Sequence, residues 1–269
     1  MNARVESPAA RVTAPAPHAA PRATLFVVLW IVWAALLATA MLLGNFLSGH
    51  SAPAATTARM GSSVALVITA WIAYGLWRHA AVGRFALLIA IGMTLGAIGD
   101  FFNAGLLNFI PLPDPVLGGI GAFGLGHIAY IAGCLGLGRR AGLTDRSKMI
   151  AAVVVWQLVG IVAWYFVVMQ GSENRDLVWP SLPYSLLLAG TTGVATGLAL
   201  QDRRLCWLAV GAALFLASDL ILAFGLFGDG FSHQTEAVWL TYGPGQMLIV
   251  FSVLSAALVL GTRGLRNAA

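Results

Sequence analysis

Two aspartates, Asp100 and Asp219, stand deep inside long apolar runs of the chain; the other acidic residues fall in the tails or between such runs. A pair of carboxyl groups is a residue set for acid–base work on a developing cation. One gives a proton, and the other stabilises the positive charge and activates water, as the paired carboxylates of glycosidases do. His127 and Tyr130 lie three residues apart, on one face of a helix. With Tyr184, Ser218, Tyr242 and Gln246 they occupy apolar runs at a depth similar to that of the two acids, where they would orient water or a leaving oxygen. Each also has a plainer reading. Tyr184 and Tyr242, with Trp179 and Trp239, suit an interfacial aromatic belt, and a lone His is more often a satisfied interhelical donor. A metal centre is not expected, because His18, His50, His79 and His233 lie in the tail or connections and leave only His127 within a run. No cofactor is implied.

These side chains must be positioned inside a bilayer. Of 269 residues, 59% are hydrophobic and only 9% are charged, against roughly 25% charged in an ordinary soluble domain. Mean hydropathy is +0.85. An all-α integral membrane protein follows, and a soluble enzyme, a coiled coil and a disordered chain are excluded. Runs of about 20 apolar residues cross the hydrocarbon core as helices. Eight are expected, over 24–44, 60–78, 84–107, 117–137, 149–169, 179–200, 205–227 and 238–261. Residues 1–23, rich in Ala and Pro, read as a disordered tail and 262–269 as a C-terminal tail, with one transmembrane domain over 24–261. Ala38-Thr39-Ala40 resembles a leader cleavage site, but the first run is long for a leader and is taken as a span.

Charge sets the orientation. Arg4, Arg11 and Arg22, then Arg78 and Arg84, then Arg139, Arg140, Arg146 and Lys148, then Arg203 and Arg204, and finally Arg263 and Arg266 all fall on one side of such a bundle. Only Arg59 and Arg175 fall on the other. The positive-inside rule places both termini in the cytoplasm, in an inner or plasma membrane of bacterial type. The basic balance therefore reports topology and calls for no nucleic-acid partner. Cys134 and Cys206 lie within apolar runs and offer no disulfide framework.

The chain also matches itself. A shift of 119 residues, without gaps, pairs Asp100 with Asp219, Arg84 with Arg203, Gly92 with Gly211 and Leu95 with Leu214. It pairs Ala104 with Ala223, Leu107 with Leu226, Gly124 and Gly126 with Gly243 and Gly245, and His127 with Gln246. Two parallel four-helix repeats, roughly 24–142 and 143–261, are expected around a central cavity, related by a pseudo-twofold axis along the membrane normal. Asp100 and Asp219 would then face each other across it. Gly92, Gly96 and Ala104 continue the Asp100 face and read as close helix packing.

Gly99-Asp100, Gly126-His127-Ile128-Ala129-Tyr130, Phe215-Leu216-Ala217-Ser218-Asp219-Leu220 and the Tyr242–Gln246 segment, in this order, resemble the YhhN-like lysoplasmalogenase family, best over residues 84–255. The resemblance implies hydrolysis of the vinyl ether bond of lysoplasmalogens, giving a fatty aldehyde and glycerophosphocholine or glycerophosphoethanolamine. The implied partner is a membrane phospholipid or lysophospholipid; monomer and homodimer both stay open. Such a reaction protonates a vinyl carbon, passes through an oxocarbenium-type cation and adds water, so two carboxyl groups suffice. From their neighbours, Asp100 between Gly99 and two Phe suits the acid, and Asp219 beside the Ser218 hydroxyl suits the base. A small proton-coupled transporter using the same carboxylate pair is the alternative. For a substrate phosphate, the outer face offers only Arg59 and Arg175.

Overall fold

A computed structural model describes residues 19–44 and 53–267. The expected disordered tail lies outside the described residues except for its last few, which open the first helix. The elements are α1 Ala19–Leu42, α2 Pro53–Trp77, α3 Gly83–Asn103, α4 Pro115–Arg140, α5 Arg146–Trp164, α6 Val178–Ala199, α7 Cys206–Phe227 and α8 Gln234–Asn267. Among the described residues, eight helices are long and apolar enough to cross a membrane, as the hydropathy pattern predicts.

The helix ends have local causes. Helix α2 begins at Pro53 rather than at residue 60, since proline costs nothing in a first turn whose amides lack partners anyway. Helix α3 stops at Asn103 rather than 107. Gly105 then adopts φ 73°, a left-handed conformation that ends helices and that residues with a Cβ avoid. Asp114 caps α4 by accepting the Val116 amide at 2.8 Å, with Pro115 in the first turn. Helix α5 closes in a π-helical turn, Tyr165–Met169, and Asp145 caps its start, where the Lys148 amide holds the carboxyl below its usual range. Helix α8 runs on to Asn267 and so takes in most of the expected C-terminal tail. Replacing Asp114 with Ala is expected to lower stability by about 1 kcal/mol, measured as an earlier thermal unfolding midpoint in detergent.

Consecutive helices pack as pairs, α1 on α2, α3 on α4, α5 on α6 and α7 on α8, while α4 leans on α6 and α8 on α2 and α3. Small residues set the closest approaches. A Cβ on Gly126 would lie 3.1 Å from the Gly92 carbonyl oxygen, and one on Gly245 would lie 2.9 Å from that of Gly211. In lipid, where apolar burial between helices brings little, such close backbone packing is a main source of association. The lipid-facing sides show it by contrast: Val154, Val155, Leu158 and Phe166 of α5 are exposed. Tyr130, Phe215, Met93 and Ile89 fill the interior.

Candidate active site

Asp100 lies near the end of α3 and is 4% exposed. Its Oδ2 accepts two hydroxyls, Ser63 of α2 at 2.5 Å and Tyr242 of α8 at 3.0 Å. Behind Tyr242 the polar groups form a chain. Gln246 Nε2 donates to the Tyr242 hydroxyl at 3.2 Å, and the Tyr130 hydroxyl donates to Gln246 Oε1 at 2.9 Å. Glycine makes room for this packing: a Cβ on Gly96 would lie 2.8 Å from Gln246 Nε2.

Asp219, in the corresponding part of α7, accepts the Tyr184 hydroxyl on Oδ2. Ser218 also points at its Oδ1, at 3.4 Å, but makes a shorter bond of 2.6 Å to the Phe215 carbonyl. Support for this carboxyl therefore comes mainly from Tyr184, not from the neighbouring serine that its sequence position suggests. The two acids lie within electrostatic reach of each other. Phe123 packs its ring edge-on against Phe215 and Tyr242.

Two cavities meet here. A polar one of about 440 Å³ is lined by Asp100, Asp219, Arg59, Thr56, Gln234 and Tyr242, among others. An apolar one of about 420 Å³ runs between α4, α5, α6 and α7 past Trp164, Leu188, Leu216 and Phe227. Both have the size of a small-molecule site. Asn103, Phe123, Asp219 and Leu222 line both, so Asp219 stands at the junction and Asp100 belongs to the polar side.

Several sequence expectations change. His127 lines neither cavity; its Nδ1 pairs with Thr191 Oγ1 at 3.0 Å and its ring packs on Phe215. It ties α4 to α6, the plainer reading of a lone His. Tyr130 and Gln246 reach the site only through Tyr242. Tyr242 is buried and Trp239 nearly so, and both line the polar cavity, whereas Trp179 is exposed as a belt residue should be. The hydropathy pattern puts Arg59 on the outer side, just before the span expected over 60–78. With α2 starting at Pro53 it lies in the helix, 5% exposed, in the cavity of both aspartates. Ser63, Asn103 and Phe123 were not anticipated at all. Ser63 carries a faint signal as one of two adjacent serines in an apolar run; the other two carry none.

A model of the YhhN family matches residues 54–253. The chain belongs to the YhhN family. The match takes in nearly all of α2, upstream of residues 84–255, and so includes Ser63 and Arg59 of this YhhN member. Curated relatives are named lysoplasmalogenase. One from Mycobacterium tuberculosis (strain CDC 1551 / Oshkosh) is 26% identical over 170 residues, 62% of this chain and 60% of the relative. Lysoplasmalogenase TMEM86B of Sus scrofa is 28% identical over 174 residues, 64% of this chain and 65% of its own. The Homo sapiens protein of that name is 26% identical over 179 residues, 66% of this chain and 69% of its own. The YhhN chain thus spans 60% of the length of its mycobacterial relatives. No solved structure matches it significantly.

Proposed function

We propose that this protein hydrolyses the vinyl ether bond of lysoplasmalogens, releasing a fatty aldehyde and a glycerophospho-alcohol. The observation that carries the reading is the meeting of a polar and an apolar cavity at a pair of intramembrane aspartates, in a family whose curated relatives bear that name. The alkenyl chain fits the apolar cavity, and the glycerophosphate end and water fit the polar one. The ether oxygen then lies at the junction, with its double bond toward the chain side.

One carboxyl group protonates the outer vinyl carbon, and the electron pair of the double bond forms the new C–H bond. The adjacent carbon and the ether oxygen share the resulting positive charge. Water adds to that carbon and gives its proton to the second carboxylate. The hemiacetal then collapses: the glycerol oxygen leaves with the proton held by the second carboxyl group, the hydroxyl proton passes to the first carboxylate as the aldehyde carbonyl forms, and both groups return to their starting states. Asp219 touches both cavities and is nearer the chain side, which supports it as the proton donor, with Asp100 serving the water. This is the reverse of the order that sequence neighbours suggest. Ser63, Tyr242 and Tyr184 fix the two carboxyl groups in place, the geometry on which such catalysis depends.

The same reading places the site in the half of the bundle opposite the termini, where α2, α4, α6 and α8 begin. With the basic residues gathered at the other end, this supports cytoplasmic termini and a site toward the outer leaflet. The matched glycine contacts, Gly126 on Gly92 and Gly245 on Gly211, are related by the 119-residue offset and support two repeated halves.

Purified protein in detergent, without any ion gradient, is expected to release aldehyde from a 1-alkenyl lysophospholipid and to keep doing so in the presence of chelators. Absence of aldehyde with both choline and ethanolamine headgroups would overturn the proposal and favour proton-coupled transport.

A further inference from the structure

Arg59 stands out in the polar cavity. Among the described residues that line either cavity it is the sole Lys, Arg or His, and it shares its cavity with both aspartates. A guanidinium in a membrane span is costly and is kept where it meets a partner or a ligand. Its surroundings hold it at the cavity wall. Nη2 donates to Thr56 Oγ1 at 3.0 Å. Glu236 of α8, 3% exposed, lies within electrostatic reach and is not part of the lining. Arg59 thus has a buried acidic neighbour on α8 as well as the cavity beside it. Thr56, Asn103, Gln234 and Thr235 add hydrogen-bonding groups to the same wall, beside the apolar Met60, Val238 and Trp239.

We infer that Arg59 is the phosphate anchor of the site, binding the phosphodiester of a lysophospholipid in the polar cavity while the chain lies in the apolar one. The inference rests on the hydrolase reading for its substrate, but phosphate recognition can be measured without turnover. The chemistry suits the task. Arginine presents a planar fork of donors that matches two phosphate oxygens, and it stays charged in an apolar setting. Anchoring the headgroup here also fixes how far the ether oxygen reaches toward Asp219. Without a cation, the phosphate would enter a cavity whose other charged groups are two carboxyl groups. The competing role for Arg59 is to balance those carboxyl groups electrostatically, and the two roles differ in what they do to KM and kcat.

The test compares two substrates, a 1-alkenyl lysophosphoethanolamine and the 1-alkenylglycerol that lacks its phosphate, in wild type, Arg59→Gln and Arg59→Lys. Arg59→Gln is expected to raise KM for the phospholipid at least about tenfold with kcat largely kept, to leave KM for the alkenylglycerol unchanged, and to abolish inhibition by glycerophosphoethanolamine. Arg59→Lys, which keeps the charge but loses the fork, should fall between. A second readout is thermal stabilisation by a 1-alkyl lysophospholipid, whose saturated ether is not hydrolysed, against the matching 1-alkylglycerol. Wild type and Arg59→Lys should be stabilised more by the phospholipid than by the alkylglycerol, and Arg59→Gln equally by both. An equal fall in kcat on both substrates, or unchanged phosphate selectivity in Arg59→Gln, overturns the anchor and assigns Arg59 to the aspartates. If wild type turns over neither substrate yet still prefers the phosphorylated analogue through Arg59, the hydrolase reading fails and the anchor stands. Should Arg59→Gln not fold, Arg59→Lys decides: a phosphate preference reduced relative to wild type supports the anchor, and a preference equal to that of wild type overturns it.

Discussion

Asp219→Asn and Asp100→Asn are each expected to lower kcat/KM for aldehyde release by at least about a hundredfold, the lower end of what a positioned acid or base contributes. That factor corresponds to about 2.7 kcal/mol of lost transition-state stabilisation. Asparagine keeps the shape of aspartate and can still accept the Tyr184 hydroxyl, or those of Ser63 and Tyr242. It cannot give or take the proton that the proposed hydrolysis moves. The double variant should be little worse than the poorer single one, because groups that act on one transition state fail together. Aldehyde release by purified, folded variants checks this, with folding judged by thermal unfolding in the same detergent. Full activity in either single variant removes the paired mechanism.

Gly211→Ala should cost about 1–3 kcal/mol of stability, whereas Gly136→Ala should cost nothing and serves as the matched control. The difference is geometric. A Cβ on Gly211 would stand 2.7 Å from the Gly245 carbonyl oxygen, 2.9 Å from Leu248 Cβ and 3.1 Å from the Ile249 amide nitrogen, while one on Gly136 meets nothing within 4 Å. Two of the Gly211 neighbours are backbone and cannot rotate away, so α7 and α8 must separate. Separation also shifts Tyr242 of α8 relative to Asp219 of α7, so activity should fall with stability. Alanine is the better helix former, by roughly 0.5–1 kcal/mol over glycine in water, which makes a loss at Gly211 diagnostic of contact rather than propensity. Unfolding midpoints of the two variants beside wild type decide it; equal midpoints would mean that the helices tolerate a wider approach.

What could be seen without coordinates follows from which forces act along the chain and which act across it. Span number and approximate place are properties of local hydropathy, and all eight were visible. The two aspartates were visible for the same reason, since a carboxylate in an apolar run is costly enough to stand out. Arg59 was missed because hydropathy averages over a window. A helix that begins with Pro-Ala-Ala-Thr-Thr-Ala-Arg dilutes its own first turns, and the expected boundary fell just past the arginine. Glu236 was misplaced in a connection for a like reason at the start of α8. Partners that meet across helices carried no local mark. Nothing adjacent to Asp219 announces that Tyr184 will serve it better than Ser218, and nothing near His127 shows that its ring turns to Thr191 rather than to a cavity.

The junction at Asp219 has a consequence for how a turnover ends. On the hydrolase reading, the broken bond lies where the two cavities join, so each product is left in a compartment that suits its own solubility. The aldehyde remains among Trp164, Leu188 and Phe227, and the glycerophospho-alcohol among Thr56, Arg59 and Gln234. Neither needs to pass the other to leave. The two departures are then kinetically independent, with no obligatory order of release. Added aldehyde and added glycerophospho-alcohol should inhibit without excluding one another.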